Sequence, residues 1–400
     1  MRRTMTLTLL ACLALFGLAA CGSSKSSRSS GSGAVAFQVP DRPIADAIGA
    51  GEGKLNLINW VGYAEDGSTD PKVDWVSAFE KDSGCSVNSK VAATSDEMVT
   101  LMRTGQYDGV SASGNASRRL IAAGDVAPVN TDLLDSYGDM PAFLKDTDYN
   151  SADGKMYGAP HGWGANLLQY RTDVVTEAPD SWSVIYDKDS PYAGKITAYD
   201  DWTSIADAAV YLKASEPELV IENPYALDQK QFDAAVDLLK AQKPLVGEYW
   251  ADYLKYEEAV TNGSIVLGTS WQIITNTLKG AEPAVPVASV LPKEGSTAWS
   301  DIWMISSKAK HPNCMYMWMN HITSPEAQAA VAGYFGEAPA NLKACPLLPD
   351  GHCEQYGADD ETFHKQLYFW TVPQEKCING RTAVCVGFDK WVEAWTEIKG

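Results

Sequence analysis

The sequence predicts an α/β fold with two lobes, and three observations support this prediction. Segments with strand-like alternation and segments with helical spacing follow one another along much of the chain, a pattern typical of parallel βαβ units. The length of 400 residues suits two domains, since one domain usually takes about 150 residues. The composition, 45% hydrophobic and 21% charged, is that of a globular chain and excludes a fibrous or largely disordered one.

The chain is strongly acidic. It has 32 Lys and Arg against 51 Asp and Glu, a formal net charge of -19. Phosphate backbones and anionic lipid headgroups would repel such a chain, which argues against a nucleic-acid partner and against polybasic docking to a membrane. Cationic partners fit this charge, although acidity that serves solubility alone is an alternative explanation.

The first 20 residues have the pattern of a secretory signal peptide. Arg2 and Arg3 precede an apolar run of 16 residues, which is shorter than the ~20 residues needed to span a bilayer. The run ends in Leu-Ala-Ala-Cys, similar to a bacterial lipobox, and this predicts lipidation of Cys21. Residues 21–53 would then be a flexible tether, Ser- and Gly-rich at its start. We expect the body to lie in the periplasm or at the outer face of the cell membrane, attached to the membrane through this anchor only.

An extracytoplasmic location permits disulfides, and the body has six cysteines. Several pairings are possible, but the local pairs Cys345–Cys353 and Cys377–Cys385 can each close a short loop. Cys85–Cys314 would then follow by elimination. Zinc binding is the alternative, although no close cysteine pair has the spacing of a zinc knuckle.

Alternation and helical spacing define the first elements of the body. Apolar residues alternate in three predicted strands, and each of these is followed by an amphipathic or capped helical segment. The predicted strands are Lys54–Trp60, Ser86–Ala93 and Tyr107–Ser113. The predicted helices are Pro71–Gly84, a helix capped by Ser95 and a helix from about Asn115.

The same pattern resumes after Trp163, with strands Lys195–Tyr199 and Ile265–Gly268 and helices Trp202–Ala214 and Gln231–Gln242. Ligands of α/β folds bind at the carboxyl ends of strands or between domains. The residues that follow each strand are therefore the candidates for a binding site.

Aromatic residues and carboxylates are frequent at these strand ends. The chain has 13 tryptophans; Trp60 closes the first strand, and Trp299 lies two residues before Asp301. Aromatic faces attract ammonium groups by about 0.5–2 kcal/mol each, and a buried ammonium also needs a carboxylate partner. This combination predicts a pocket for an amine or a quaternary ammonium. A core role is the alternative, and it is the expectation for the tryptophans within helical patterns, namely Trp75, Trp318, Trp391 and Trp395.

Five longer motifs lie along the body: NWVGY (59–63), YDGVSASGNASRRLI (107–121), WGANLLQY (163–170), AYDD (198–201) and PKEGSTAWSD (292–301). Together they resemble the periplasmic polyamine-binding proteins of ABC transporters, and most closely the Ydc-type branch of spermidine/putrescine-binding proteins. The resemblance implies a type II periplasmic-binding-protein fold, in which two α/β lobes are joined by a hinge with the ligand cleft between them. We expect lobe 1 to comprise residues 54–164 and 299–345, and lobe 2 residues 165–298 and 346–400.

The resemblance also implies which residues bind the ligand. Asp201 and Asp301 would pair with ammonium groups, and Trp271 and Trp299 would enclose the methylene chain. The full expected set is Trp60, Tyr63, Ser113, Asn115, Asp201, Ser204, Trp271, Trp299, Asp301, Glu337 and Trp370.

At three positions the sequence departs from the family. Ser204 stands where polyamine binders carry a Glu, and Asn115 stands where they carry a Tyr. The family's C-terminal Gln falls near Val372, after Trp370. Glu337 would compensate for the missing carboxylate, and the identity of the amine stays open.

We therefore predict an extracytoplasmic lipoprotein that captures a small cationic amine, putrescine or spermidine first, and delivers it to ABC permease subunits with a cytoplasmic ATPase. It would be a monomer without cofactor, bound metal or nucleic acid. The alternative is a Ser- or Cys-dependent acyltransferase or hydrolase on the same scaffold. A Ser or Cys hydrogen-bonded to a His in the cleft would favour that alternative.

Overall fold

The structure is a computed structural model that describes residues 39–378 and 380–400. The predicted signal peptide and Cys21 lie outside the described residues. The strands are β1 (Lys54–Asn59), β2 (Ser86–Val91), β3 (Gly109–Ser113), β4 (Val126–Ala127), β5 (Ser151–Ala152), β6 (Lys155–Met156), β7 (Ala159–Arg171), β8 (Ile196–Tyr199), β9 (Val246–Trp250), β10 (Leu267–Trp271), β11 (Val287–Val290), β12 (Ser296–Ser306), β13 (Ala338–Pro339) and β14 (Leu367–Phe369).

The helices alternate with these strands over most of the chain. They are α1 (Val76–Ser83), α2 (Ser95–Arg103), α3 (Gly114–Ala123), α4 (Ser183–Tyr186), α5 (Ser204–Ser215), α6 (Gln229–Gln242), α7 (Tyr253–Asn262), α8 (Gln272–Gly280), α9 (Pro312–Ile322), α10 (Pro325–Val331), α11 (His352–Gln355), α12 (Glu361–His364) and α13 (Phe388–Lys399).

The first half of the body is the predicted set of parallel βαβ units. β1 pairs in parallel with both β2 and β3. Two local predictions were wrong. Helix α1 begins at Val76 rather than at Pro71, because the preceding residues form a turn in which the amide of Val73 donates to the carbonyl of Asp70. The cap of α2 is Thr94, whose hydroxyl accepts from the amide of Glu97, and not Ser95.

Two long strands, β7 and β12, lie side by side at the centre of a mixed sheet ordered β2-β1-β3-β12-β7-β10-β8-β9. One half of the sheet is β2, β1 and β3 on β12, and the other half is β10, β8 and β9 on β7. Each half packs against its own helices and its own hydrophobic core. The chain thus has the predicted two-lobe α/β fold, and the residues shared by both halves lie on β7 and β12.

The tryptophans assigned to the core from helical patterns are buried. Trp75 and Trp318 belong to the core of the first half. Trp391 and Trp395 on α13 belong to the core of the second half, against α5 and α6. These four predictions were confirmed.

The three disulfides have the favoured pairing, Cys345–Cys353, Cys377–Cys385 and Cys85–Cys314. Cys85 directly precedes β2 and Cys314 lies in α9, so this bridge joins residues 229 apart in sequence. With all six cysteines of the body in disulfides, none remains as a thiolate ligand for zinc. None of the helices in the described part of the chain combines the length and the apolar character needed to span a bilayer.

Candidate functional site

Asp301 lies in the middle of the sheet, where the two halves meet. It is on β12, opposite Ser113 of the antiparallel neighbour β3 and opposite Gly162 of the antiparallel neighbour β7. Its side chain is 3% exposed. Such a position is costly for a carboxylate unless donors or a cation face it, and the surrounding contacts show which donors are present.

Three side chains surround the Asp301 carboxylate. Two of them form hydrogen bonds with it, and the third shares one of these hydrogen-bond partners. The hydroxyl of Ser113 donates to Oδ1. The hydroxyl of Tyr63 lies 2.7 Å from Oδ2 and also 2.9 Å from Oε2 of Glu337. Tyr63, Ser113, Asp301 and Glu337 were all predicted site residues, and the structure brings them into one cluster, which we call the carboxylate cluster.

Gly162 provides the space for Glu337. Glu337 directly precedes β13, which pairs with β7 so that Pro339 lies opposite Gly162. A methyl group at position 162 would collide with the Glu337 carboxyl group. The glycine is therefore a close-approach position within a strand, and it allows a second acid to lie beside Asp301.

Burial dominates the protonation of both acids. It raises the pKa of Asp301 to about 6, although the hydrogen bonds from Ser113 and Tyr63 oppose the shift. Burial, and then the charge of Asp301, raise the pKa of Glu337 well above its ordinary value. Burial and the two neighbouring acids likewise raise the pKa of Tyr63. Among the described residues, the only basic side chain close to the Glu337 carboxyl group is the imidazole of His161, 3.6 Å away.

His161 is fully buried beside this cluster. Two residues of β7 face one residue of β12 here, since Ile302 lies opposite Pro160 and Asp301 opposite Gly162. His161 is thus the extra residue of a β-bulge, a feature that often redirects a side chain at a functional site. Its Nε2 is 3.6 Å from Oε1 of Glu337. Burial lowers the His161 pKa to about 3, so the ring is neutral at physiological pH.

A continuous aromatic wall extends from the cluster into the second half. The ring of Phe335 is 4.8 Å from that of Tyr63 and 6.2 Å from that of Trp299. The wall continues from Trp299 to Trp271 at 6.1 Å and from Trp271 to Tyr199 at 5.7 Å. Aromatic faces at the end of a carboxylate site are suited to a cation with an apolar chain.

Trp370 completes the wall. Its ring is stacked on that of Tyr199 at 5.4 Å with 20° between the planes. A side chain at Gly114, the first residue of α3, would collide with the Trp370 backbone carbonyl. Gly114 therefore lets the C-terminal segment approach the end of β3, next to Ser113.

Space and hydrogen bonds orient the two tryptophans of the wall. Gly164 lies opposite Trp299 in the β7–β12 register, and a side chain there would collide with the indole. The indole of Trp271 donates to Oδ1 of Asn166 at 2.9 Å. The Asn166 amide donates to the hydroxyl of Thr297 at 2.6 Å, and that hydroxyl donates to Asp207. This chain of contacts connects Trp271 to the body of the second half.

Asp201 lies beyond the wall, after β8. Its Oδ1 accepts from the amide of Thr203 at 2.9 Å. Burial raises its pKa to about 6, and the charge of Asp96 on the first half also raises it. Both Asp201 and Asp301 raise the pKa of the Tyr199 hydroxyl, after the larger effect of burial. The Tyr199 hydroxyl is therefore within electrostatic range of both acids.

The remaining predicted residues are bonded elsewhere. The hydroxyl of Ser204 donates to the carbonyl of Tyr199 at 2.7 Å. The side-chain oxygen of Asn115 accepts from Ser95 at 2.9 Å. Trp60 is half-buried and packs against both cores of the first half. None of the three forms a hydrogen bond with the carboxylate cluster among the described contacts.

The condition that would favour an enzyme is not met by the described residues. The side chains of the five histidines bond to Gln328, Asp108 and the backbone carbonyls of Trp75, Glu337 and Gly357. None of these partners is a serine or a cysteine. No group of three or more His, Cys, Asp or Glu within the described ranges is arranged to hold a metal ion.

Sequence analysis missed three residues of this site: His161, Tyr199 and Phe335. Tyr199 lies within the AYDD motif, directly before the two acids, and its position at a strand end was the available signal. Phe335 belongs to a π-type turn, Ala332–Gly336, and a β-bulge positions His161. Neither irregularity has a local sequence signature, so neither side chain could be placed from the sequence.

Two known proteins are similar to most of this chain. A putrescine/agmatine-binding protein of Pseudomonas aeruginosa is 24% identical over 321 residues, 76% of this chain and 83% of the relative. The putrescine-binding periplasmic protein PotF of Escherichia coli is 25% identical over 316 residues, 75% of this chain and 81% of the relative. These relatives are binding proteins and give no support to the enzyme alternative.

Solved structures share the fold. The spermidine/putrescine substrate-binding protein PotD of Streptococcus pneumoniae has a TM-score of 0.68 at 20% identity and covers 86% of this chain and 98% of its own. A spermidine/putrescine ABC transporter protein of Listeria monocytogenes has a TM-score of 0.69 at 20% identity, with 87% and 99% covered. The sequence model of the bacterial extracellular solute-binding protein family matches residues 74–351. The chain belongs to the bacterial extracellular solute-binding protein family.

Proposed function

We propose that this protein is the solute-binding component of an ABC importer and that it captures a short diamine of the putrescine class. The observation that carries the proposal is the carboxylate cluster, in which Asp301 and Glu337 are buried side by side and share the hydroxyl of Tyr63. Two buried acids without a buried cation are unfavourable, and a bound ammonium supplies the missing charge. The putrescine-binding names of the relatives support the same ligand class.

The aromatic wall fits the rest of such a ligand. One ammonium would bind at Asp301 and Glu337, and the methylene chain would lie against Trp299 and Trp271. The second ammonium would lie near Tyr199 and Asp201, whose Oδ1 accepts from the backbone amide of Thr203. Ser204 contributes no charge where polyamine binders carry a carboxylate. We therefore favour a diamine over a triamine.

We propose further that the protein is a monomeric lipoprotein anchored through Cys21. The proposed lobes are residues 54–164 with 299–345 and residues 165–298 with 346–400. β7 and β12 pair with each other where the two halves of the sheet meet, so closure around these strands would bury the ligand and bring the two lobes together as one surface for the permease.

Calorimetric titration of the full chain tests this proposal. The ligand series is putrescine, agmatine, spermidine, choline and glycine betaine. We expect saturable binding of putrescine at one site, weaker binding of spermidine, and binding weakened about 10²- to 10³-fold in Asp301→Asn. The half-buried Glu257 of α7, whose pKa burial also raises, provides the control variant Glu257→Gln, which should bind as the wild type does. Absence of binding by every amine would refute the proposed function.

A further inference from the structure

The number of protons available at Tyr63 determines the charge of the carboxylate cluster. The Tyr63 oxygen lies 2.7 Å from Oδ2 of Asp301 and 2.9 Å from Oε2 of Glu337, both hydrogen-bond distances. A tyrosine hydroxyl has a single proton to donate. If both carboxyl groups were ionised, the Tyr63 hydroxyl could donate to only one of them, and the other carboxylate oxygen would face the Tyr63 oxygen without a proton between the two. One of the two acids must therefore be protonated and donate a hydrogen bond to the Tyr63 oxygen.

The hydrogen bonds indicate which acid carries the proton. Asp301 accepts from Ser113 in addition to Tyr63, and two donors stabilise its ionised form. Among the described contacts, Tyr63 is the only hydroxyl that hydrogen-bonds to the Glu337 carboxyl group, and Oε1 of Glu337 is buried without a hydrogen-bond partner. The arrangement is satisfied when the acid of Glu337 donates to the Tyr63 oxygen and the Tyr63 hydroxyl donates to ionised Asp301.

The other titratable groups around Glu337 do not replace that proton. His352 bonds to the Glu337 backbone carbonyl at 2.8 Å through Nε2. The hydroxyl of Tyr356 is close enough for the charge of Glu337 to raise its pKa. Neither group supplies a positive charge to the carboxyl, which leaves His161 as the remaining candidate.

The backbone fixes the tautomer of His161 through Gln328. The Gln328 side-chain oxygen accepts from the amides of Ala340 and Asn341 at 2.8 and 3.2 Å. Its amide nitrogen therefore faces the carbonyl of Ile322 at 3.0 Å and Nδ1 of His161 at 3.2 Å. Nδ1 must be an acceptor, so the ring proton is on Nε2. This neutral N–H points toward Oε1 of Glu337 at 3.6 Å, too far for a hydrogen bond.

We infer that Glu337 is a neutral carboxylic acid in the ligand-free protein and that it ionises when a ligand ammonium binds, so that capture of the amine releases one proton. This inference rests on the proposed function. The Glu337 O–H bond breaks, its proton passes to water and buffer, and the carboxylate that remains pairs with the ammonium, which keeps all of its own protons. Burial of Glu337 and the charge of Asp301 favour the neutral form until the cation arrives.

The released proton makes the affinity depend on pH and on the kind of cation. Where the free protein holds the proton and the complex does not, the Kd falls about tenfold for each pH unit of increase. A primary ammonium or guanidinium can donate hydrogen bonds to Oε1 of Glu337 and to Asp301. A quaternary ammonium has no N–H, so the site should discriminate against choline.

The test is calorimetry of putrescine binding to the full chain at pH 7 in phosphate and in Tris, two buffers with different ionisation enthalpies. The amines of putrescine are fully protonated at this pH. Asp301 and Asp201, with pKa values of about 6, each hold only about a tenth of a proton at pH 7. We expect release of about one proton per ligand by the wild type, close to none by Glu337→Gln, and about one by the control Glu257→Gln.

The outcomes separate the inference from the proposed function. Stoichiometric binding without proton release at pH 7, and with a Kd that does not change between pH 7 and pH 8, would overturn the inference and leave the function intact. Absence of binding by any amine would overturn both. If Glu337→Gln fails to fold by circular dichroism, infrared difference spectra of the wild type decide. The carbonyl band of a protonated carboxyl must disappear when putrescine is added, and an unchanged band would refute the inference.

Discussion

Replacement of Asp301 by Asn should have opposite effects on stability and on binding. Burial raises the Asp301 pKa from its ordinary 3.8 to about 6 in the folded protein. That difference corresponds to about 3 kcal/mol of unfavourable free energy for the ionised group. Asn has a similar shape and no charge, so Asp301→Asn should stabilise the ligand-free protein by up to about 3 kcal/mol at pH 8.

The dependence on pH follows from the direction of the shift. Because the folded protein binds the Asp301 proton more tightly, the stability contributed by this group falls as the pH rises from 3.8 to about 6. The advantage of the variant should therefore shrink to about 1 kcal/mol at pH 4.5. For a folded body of this size, about 3 kcal/mol corresponds to a rise in Tm of about 4 °C.

Thermal unfolding with and without putrescine provides the assay. Loss of the buried carboxylate leaves the ammonium without its partner, which should weaken binding about 10²- to 10³-fold. Putrescine should then raise the Tm of the wild type and not that of the variant. Glu337→Gln is the matched comparison, and it should change the ligand-free Tm little, because Glu337 is already neutral. A ligand-free Asp301→Asn that is less stable than the wild type at pH 8 would contradict this reasoning.

Three further predictions concern the scaffold. Gly162→Ala should displace the Glu337 carboxyl and weaken putrescine binding at least tenfold, measured by calorimetry; unchanged affinity would show that the space at 162 is not needed. Thr297→Val removes the hydroxyl between Asn166 and Asp207. The variant should lower the affinity for putrescine about three- to tenfold and change the shape of the tryptophan fluorescence response to ligand. An unaltered fluorescence response would contradict a role of Thr297 in positioning Trp271. The double variant Cys85→Ser with Cys314→Ser removes the disulfide that joins residues 229 apart, and it should reduce the free energy of unfolding, measured in urea, by about 5 kcal/mol. Removal of a bridge that closes an eight-residue loop should reduce the free energy of unfolding by about half as much.

Local sequence signals predicted most of the first half of the fold. The strands at β1, β2 and β3 and the following helices depend on alternation and capping, which are properties of neighbouring residues. The start of α1 was misplaced because Pro71 is compatible with the first turn of a helix, whereas the chain there forms a turn. A sequence pattern does not distinguish the hydroxyl at position 94 from the one at position 95 as the cap of α2. Only the backbone angles of Thr94 identify it as the cap.

The candidate site was predictable only in part, for a related reason. Tyr63 follows the end of β1, whereas Trp299 and Asp301 lie within β12 rather than at a strand end. A resemblance to a known family pointed to all three. The contact of Glu337 with Tyr63 joins residues 274 apart in sequence, and no local pattern specifies such a pair. The glycines at 162 and 164 did provide a signal, since glycine at alternate positions of a strand indicates close approach of another group on one face.

The same burial that makes the site unfavourable when empty explains how a ligand would close it. In the closed protein without ligand, ionised Asp301 is unfavourable by about 3 kcal/mol, and opening would return the carboxylate to water. An open form should therefore be populated in the absence of amine. A bound ammonium removes this penalty only in the closed form, because only there do Tyr63, Ser113 and the aromatic wall surround the ammonium. A free-energy difference of about 3 kcal/mol between the open and closed forms shifts their ratio by about 10²-fold. Closure then depends on the charge of the ligand rather than on its size alone, so a neutral analogue of the same length should bind weakly and leave the lobes open.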